Sequence, residues 1–555
     1  MDGARVGSSL HLRPRHPSGQ GRAHAADAGR AAGERPRDAA GRVRRLCQGL
    51  QERGRREGEV RGAAGGPVSD PGELSLFAHR VRDLVKRPPV VAPPDLSVVE
   101  IARLLSREGV GSIVITADGR PVGIVTDRDL RRKVVAEGRD PKTTPVSAIM
   151  SAPLVTLPPG AFAFEALLEM TRRRIRHIVV VDDGRAVGVV SSPDLLVPQT
   201  THPVTVAREI SRAASVEALA ALAPRVTELV RELLAEGGRV HDIAQLAAEL
   251  NDRMVVRVLD LVRAELSAAG LDPPVGFAWL AFGSEGRREQ TLRTDQDNGL
   301  VYADPPPELA ERATAYFAAL AEKTIAGLVT VGFPPCPGGA MASNAEWRQP
   351  LSVWDGYVQQ WIGDPSPRHI LAASMYFDLR FVAGDSDLAV RLGHRIRSEA
   401  PRQPRFLGLM ARDVAERRLP VTFFGGVGVH RSGPHRGAVD VKGAGCIQLV
   451  GAARVHALEL GLTQTNTVER IVAAGERGLY TTDEVVEIAD AYEHLLRLRL
   501  VHQLDRLAAG ATPDNYVEPE HLSHRDALLL RDALKTVGRV QERLRERYAT
   551  DFIPT

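Results

Sequence analysis

Cysteine is scarce: Cys47, Cys336 and Cys446 are the three in 555 residues. They lie far apart and match no zinc-ligand spacing, so neither a disulfide framework nor a structural zinc site is expected, and a reducing, cytoplasmic setting is. Long apolar runs are also missing. None approaches the roughly 18 residues of a membrane span, so no membrane partner is expected. The net charge is only +3, which singles out no nucleic-acid partner. Lysine is absent before Lys86, and residues 1–75 are rich in Arg, Gly and Ala with almost no apolar periodicity. Such a segment cannot bury enough apolar surface to offset its ordering entropy. It reads as disordered or as a misassigned start. A basic tail is a further reading, and a targeting peptide is opposed by Asp2, Asp27, Glu34 and Asp38.

The rest has the composition of ordinary globular protein, and its length implies three or four domains. Residues 111–126 (GSIVITADGRPVGIVT) align without a gap on residues 176–191 (RHIVVVDDGRAVGVVS), at an offset of 65. Each half reads as a strand, an Asp-Gly turn and a second strand. Amphipathic helices precede them at 97–107 and 162–173, and a helix start follows each. The repeat over 81–199, with GIVTDRDL at 123–130 and GVVSSPDL at 188–195, resembles a tandem CBS pair. The resemblance implies βαββα repeats, a homodimer formed through the pair, and an adenosine nucleotide held by Thr126 with Asp129 and by Ser191 with Asp194. Helix N-capping by Thr126 and Ser191 explains the same residues, and the two roles do not exclude each other. Arg172, Arg173, Arg174 and Arg176 could meet phosphates or form a solvated helix face.

A helical stretch at 206–270 follows, with Leu219, Leu222, Val226, Val230, Leu233 and Leu234 at helical spacing. His241-Asp242 lies in it without the further His and Asp ligands a phosphohydrolase site needs, so it reads as part of a helix face.

The richest segment is Gly283-Ser284-Glu285-Gly286-Arg287-Arg288-Glu289-Gln290, followed by Asp295-Gln296-Asp297. Apolar strand-like runs flank it, Phe277–Phe282 and Leu300–Tyr302. In extended chain, positions i and i+2 point the same way, so Asp295 and Asp297 converge. Two carboxylates suit a hard cation such as Mg²⁺, which takes further ligands from substrate phosphates. A Gly-Ser turn lets backbone N–H groups approach a triphosphate. The string GSEGRREQTLRTDQDNGLVY resembles the CBS-domain-containing nucleotidyltransferase family related to the PII uridylyltransferase, and the likeness runs from about residue 206 to the C-terminus. It implies a nucleotidyltransferase α/β core with a mixed sheet at 271–400 and an α-helical substrate-binding domain at 401–555.

The resemblance also places a third carboxylate at Asp378, on an expected strand at 374–382. Asp295, Asp297 and Asp378 would then hold two Mg²⁺ ions, which clamp the attacking and leaving oxygens of a displacement. A salt bridge from Asp378 to an arginine is the alternative. Gly283, Ser284, Arg287 and Lys442 are the candidates for triphosphate binding. Arg287 or Arg288 could instead pair with Glu285 or Glu289, and Lys442 with Asp440. Arg454 is a further candidate on the helix after Lys442. Trp354 and Trp361, with Trp347 just before their helix, read as core. The loop Cys336–Asn344 resembles a loop of the same family, and Cys336 has no motif partner that would make it a nucleophile. His430, His435 and Arg436 form a basic loop without metal spacing.

The expected function is transfer of a nucleotidyl group from an NTP to an acceptor, with release of pyrophosphate and regulation by the CBS pair. The acceptor is expected to be a protein hydroxyl, with a PII-type protein as candidate. Two alternatives stay open: a non-catalytic nucleotide sensor or scaffold, and transfer to a small molecule. Neither a phosphohydrolase module nor a C-terminal pair of ligand-binding ACT-like domains is recognisable, so removal of the modification from PII is not expected.

Overall fold

In a computed structural model, which describes residues 79–195, 203–292, 295–421 and 426–553, the two halves of the repeat fold alike. The expectation for residues 1–75 lies outside these. In the first half a short strand β1 (Val91–Ala92) leads to helix α1 (Val98–Glu108) and the hairpin β2 (Ser112–Ala117) and β3 (Arg120–Thr126). In the second, β4 (Thr156–Leu157) leads to α2 (Ala163–Arg173), β5 (His177–Asp182) and β6 (Arg185–Ser191). The order β1-β2-β3 is repeated by β4-β5-β6, with a parallel first pair and an antiparallel second. Both hairpins turn through Asp-Gly with positive φ at each central residue, 51° and 73° at Asp118-Gly119 and 48° and 77° at Asp183-Gly184. That is the turn whose twist matches paired strands. Ser97 and Glu100 form a capping box that starts α1.

Helices α3 (Pro203–Arg212), α4 (Val216–Ala235) and α5 (Val240–Ala268) follow. The next strands, β7 (Phe277–Ala281) and β8 (Asn298–Tyr302), are buried at every position. They are joined by helix α6 (Ala310–Val331), strand β9 (Arg348–Pro350), helices α7 (Leu351–Gly363) and α8 (Pro367–Tyr376) and strand β10 (Arg380–Gly384). The sheet order is β10-β7-β8-β9, antiparallel except for β8 with β9, which makes it mixed. Trp354 and Trp361 on α7 are buried, and the Trp347 ring lies 4.0 Å from that of Tyr376, so the tryptophans are core.

One expectation fails here. Residues 374–382 are not a single strand: α8 runs through Tyr376, Asp378 sits in a turn, and β10 begins only at Arg380. Ser366 caps α8, Pro367 occupies its first turn, and Ile370, Ala373 and Tyr376 bury at helical spacing. Those signals outweigh a short alternation.

The C-terminal part is helical: α9 (Ser386–Glu399), α10 (Pro404–Ala415), α11 (Ile447–Glu459), α12 (Thr467–Glu476), α13 (Thr482–Ala508) and α14 (His524–Tyr548). The two-residue strands Val439–Asp440 and Tyr516–Val517 pair antiparallel and fix the turn that carries Lys442. No helix among the described residues is long and apolar enough to cross a membrane.

Candidate active site

The site forms where β7 ends and β8 begins. Gly283 takes the left-handed conformation, φ 53°, directly after β7. A Cβ there would come within 2.7 Å of an Asp297 carboxylate oxygen, so the turn and the acid are in close approach. Asp295 and Asp297 lie in extended chain just ahead of β8. Gln296 between them is buried, its backbone N–H donating to Pro334 and its side chain to Phe333, while Asp295 is exposed and Asp297 half-buried. Gln296 is thus turned inward between two more accessible carboxylates, whose charges act on each other.

Lys442 lies across from this pair. Burial lowers its pKa, and the charges of Asp295 and Asp297 act against that shift. Asp440 does not pair with it and instead accepts from the Gly443 backbone N–H at 2.9 Å, closing the turn. Among the described residues no cation lies within ion-pair distance of Asp295 or Asp297. Burial raises the Asp297 pKa, and the nearby Asp295 adds to the rise. A carboxylate in that state gains from a bound cation.

Asp378 is in the opposite condition. It is 0% exposed and surrounded by three arginines. Arg454 grips it with Nε at 3.1 Å and Nη2 at 2.6 Å, Arg470 with Nη1 at 2.6 Å, and Arg287 with Nη1 at 2.6 Å. Burial would raise the Asp378 pKa, but the charges of Arg454, Arg470 and Arg287 overcome this and hold it far below the ordinary carboxylate range. Its oxygens are saturated by donors. No group of three His, Cys, Asp or Glu side chains among the described residues is placed to hold a metal. Asp378 thus makes the arginine salt bridges that were the alternative expectation. Asp295 and Asp297 are carboxylates that suit one hard cation, completed by phosphates and water.

Arg287 is corrected in the same way. Beyond Asp378, its Nε reaches Glu289 at 2.7 Å. Glu289 is itself buried and accepts from the Tyr492 hydroxyl at 2.7 Å and the Thr467 backbone N–H. The guanidinium expected on the triphosphate is thus engaged by two carboxylates. Neighbouring residues join the same seam: Thr465 donates to the Gly286 carbonyl at 3.0 Å, Asn466 to the Arg287 carbonyl at 3.2 Å, and Thr291 to Gln503 at 2.6 Å. A Cβ on Gly286 would sit 2.0 Å from the Asp378 carbonyl oxygen, so that glycine permits the contact. Of the motif, Gly283 lies against Asp297 and half-buried Ser284 follows it, while residues 286–291 dock the core onto the start of α12 and onto α13.

Two nearby groups were not anticipated. Cys336 lies near Asp297, and burial raises the pKa of its thiol. Its loop is strapped to β8, with Asn298 N–H donating to the Ala340 carbonyl at 3.0 Å and Ala342 N–H to the Asn298 side chain at 2.9 Å. Glu285 is buried, and desolvation, with Asp252 nearby, pushes its pKa up to about 8. Only the family likeness of the Cys336–Asn344 loop hinted at the first, and no local signal pointed to the second.

Helix α5 ties this site to the repeat domain. Asp252 holds Arg380 through two bonds of 2.7 and 2.8 Å, and Asn251 reaches Gln290 at 3.3 Å. About two turns earlier, Gln245 accepts from Arg172 of α2 at 2.5 Å, and Arg253, next to Asp252, donates to the Thr171 carbonyl. The N-terminal N–H groups of α5, at Val240 and His241, donate to Glu493 of α13, next to Tyr492. His241 is half-buried, and desolvation lowers its pKa to about 4, so it is neutral. The helix-face reading of His241-Asp242 agrees with this.

In the repeat domain Thr126 does cap, its hydroxyl accepting from the Asp129 N–H at 3.3 Å. The Asp129 carboxylate accepts from Thr126 N–H at 3.0 Å and hydroxyl at 2.7 Å, and Asp194 accepts from Ser191 N–H at 2.8 Å and hydroxyl. The other oxygen of each meets a lysine, Lys133 at 3.0 Å and Lys86 at 2.7 Å. Each Thr/Ser–Asp pair borders its own cleft.

Comparison with known proteins agrees with this architecture. The CBS domain model matches residues 81–136 and 146–197, the model described as "Putative nucleotidyltransferase DUF294" matches 224–368, and "Putative nucleotidyltransferase substrate binding domain" matches 404–548. The chain belongs to the family of CBS-domain nucleotidyltransferases. An uncharacterised protein of Methanopyrus kandleri is 33% identical over 24% of this chain and 68% of its own length. The CBS domain-containing protein YhcV of Bacillus subtilis is 34% identical over 22% of this chain and 86% of its own. Among solved structures, a CBS domain protein of Pyrobaculum aerophilum complexed with AMP is 38% identical over 21% of this chain and 89% of its own, with a TM-score of 0.20.

Proposed function

We propose that the chain transfers an NMP from an NTP to an acceptor hydroxyl in the cytoplasm, releasing pyrophosphate, and that nucleotide binding at the CBS pair sets the rate. The observation that carries this is the Asp295–Asp297 pair, without an ion-pair partner among the described residues and set against the Gly283 turn. A Mg²⁺ held there would neutralise phosphate charge and orient the triphosphate. Lys442, whose charge interacts with the same pair, supplies a cationic side chain for the phosphates. The acceptor oxygen attacks the α-phosphorus, its hydroxyl proton passes to water, and the bond from the α-phosphorus to the bridging oxygen breaks, so that pyrophosphate leaves with that oxygen. Positioning and charge stabilisation are the main tasks in such a transfer.

A protein acceptor, with a PII-type protein as first candidate, is supported by the relationship to the PII uridylyltransferase and by the large helical domain docked on the core. Regulation is supported by α5, which touches α2 of the CBS pair, the signature segment and α13. Incubation with Mg²⁺ and each of the four α-labelled NTPs, with and without PII-type protein and cell lysate, tests the reading. Label on a protein that is absent with Asp295→Ala/Asp297→Ala supports it. Pyrophosphate release with label only in small molecules would move the acceptor to that class. No transfer with any NTP, while nucleotide still binds, would leave a sensor.

A further inference from the structure

The two clefts of the CBS pair are built on one repeat, yet they differ in size and charge. The cleft at Thr126 and Asp129 has a volume of about 650 Å³, and the cleft at Ser191 and Asp194 about 200 Å³. Small-molecule sites usually occupy roughly 300–1,000 Å³, so only the first is of nucleotide size as it stands. The first is lined by five cations, Arg128, Arg132, Lys133, Arg174 and Arg176, against the carboxylates of Asp129 and Glu137. The second has Lys86 and Arg87 against Asp194, with Lys86 bonded to that carboxylate.

The offset of 65 residues shows where the difference arises. Arg174, Arg176 and Arg128 in the first cleft correspond to Gly109, Gly111 and Pro193 on the second side. Gly109 closes α1 in the left-handed conformation at φ 58°, and Arg174 closes α2 in the same conformation at φ 55°. Glycine adopts that conformation without strain and arginine does not. An arginine is thus held at a position where the fold favours glycine, on the wall of the larger cleft. Backbone strain of this kind often marks a ligand site. Val155, Ile175 and Val179 supply an apolar wall opposite the charges. An apolar slot, a carboxylate for ribose hydroxyls and a cluster of guanidinium groups are the three parts a nucleotide needs.

We propose that the two clefts are not equivalent: the Thr126–Asp129 cleft is the regulatory site and takes a nucleoside di- or triphosphate, while the Ser191–Asp194 cleft is too small and too poor in cations to hold one. This rests on the reading above that the CBS pair binds a nucleotide, and adds which cleft binds and how many phosphates it requires. The choice of cleft also bears on transmission. Arg174 is two residues from Arg172, which holds Gln245 of α5, and three from Thr171, whose carbonyl accepts from Arg253. Phosphates drawn to Arg174 would act on the end of α2 that grips α5.

Calorimetric titration of the full chain with AMP, ADP and ATP tests this, with EDTA present and Asp295→Ala/Asp297→Ala as background to silence the transferase site. One ATP per chain is expected, bound about tenfold or more tightly than AMP. Arg128→Ala/Arg176→Ala, at two exposed positions whose loss leaves the melting curve in place, should bring ATP down to the affinity of AMP. Asp194→Ala should leave ATP binding unchanged. Equal affinity for AMP and ATP, two equivalents of ATP, or loss of ATP binding with Asp194→Ala would overturn the inference while leaving nucleotide sensing intact. No binding of any of the three would remove both.

Discussion

Asp297 and Asp378 are two carboxylates in one domain, and the fold treats them in opposite ways. Asp297 sits in extended chain ahead of a strand, beside a second carboxylate, with no cation in ion-pair range among the described residues, and burial raises its pKa. Asp378 sits in a turn, fully buried, with three guanidinium groups on its two oxygens and its pKa driven down. A carboxylate left without a partner can take a metal, whereas one already saturated by arginines holds elements together. Two aspartates near one motif are thus held in opposite electrostatic states.

Substitution separates the two roles, beginning with the largest effect. Asp297→Ala should lower transferase activity by about 10³-fold or more, since it removes the charge that holds the metal, with the melting temperature unchanged. Asp378→Ala should instead cost about 3–5 kcal/mol of stability, because it leaves buried guanidinium groups without their carboxylate. Chemical denaturation read by circular dichroism checks this. If Asp378→Ala proved stable and only inactive, the contrast would collapse.

pH sharpens the same contrast. A carboxylate whose folded pKa is lowered binds fewer protons in the native state than in the unfolded state. Its contribution is therefore complete above the unfolded pKa of about 4 and is lost as pH falls below it. Asp378 has that sign. Asp297 has the reverse: its raised pKa means that its charge disfavours the folded state, and this penalty fades as pH falls. Stability measured between pH 6 and pH 3 should decline less steeply in Asp378→Ala than in wild type, and no less steeply in Asp297→Ala.

A smaller effect is expected at the next link of the network. Tyr492→Phe removes a hydroxyl from the buried Glu289 carboxylate and should cost roughly 1.5–3 kcal/mol, again in denaturation. The smallest concerns coupling. Arg172→Ala breaks the contact to Gln245 and should leave basal transfer in place while reducing the nucleotide-dependent change in rate, which for typical coupling is about 5–150-fold, towards none. Rates measured with and without ATP check this in a reaction supplied with a non-adenine NTP.

The sequence makes the CBS pair legible almost residue by residue. The two Asp-Gly turns, the alternation around them and the Ser97 cap are all local signals, and the 65-residue repeat confirms each half by the other. The Asp295–Asp297 pair was legible for a similar reason: its geometry follows from three consecutive residues entering an apolar strand. Asp378 was not legible. Its partners lie 91, 76 and 92 residues away at Arg287, Arg454 and Arg470, and no local pattern shows that three helical or turn positions will close on one acid. Arg287 misled for the same reason, since a basic residue in a phosphate-type motif looks the same whether it faces solvent or two buried carboxylates. The asymmetry of the clefts lies between. The arginines were visible in the sequence, but their convergence on one cavity depends on how the two repeats pack.

The central claim is that one metal site exists and that Asp297, not Asp378, forms it. Mn²⁺ binding followed by electron paramagnetic resonance, in the presence of each of the four NTPs, tests it most directly. The account predicts that Asp297→Ala loses one bound Mn²⁺ per chain relative to wild type with at least one of the NTPs. Loss of two ions, or unchanged binding with all four, would contradict it.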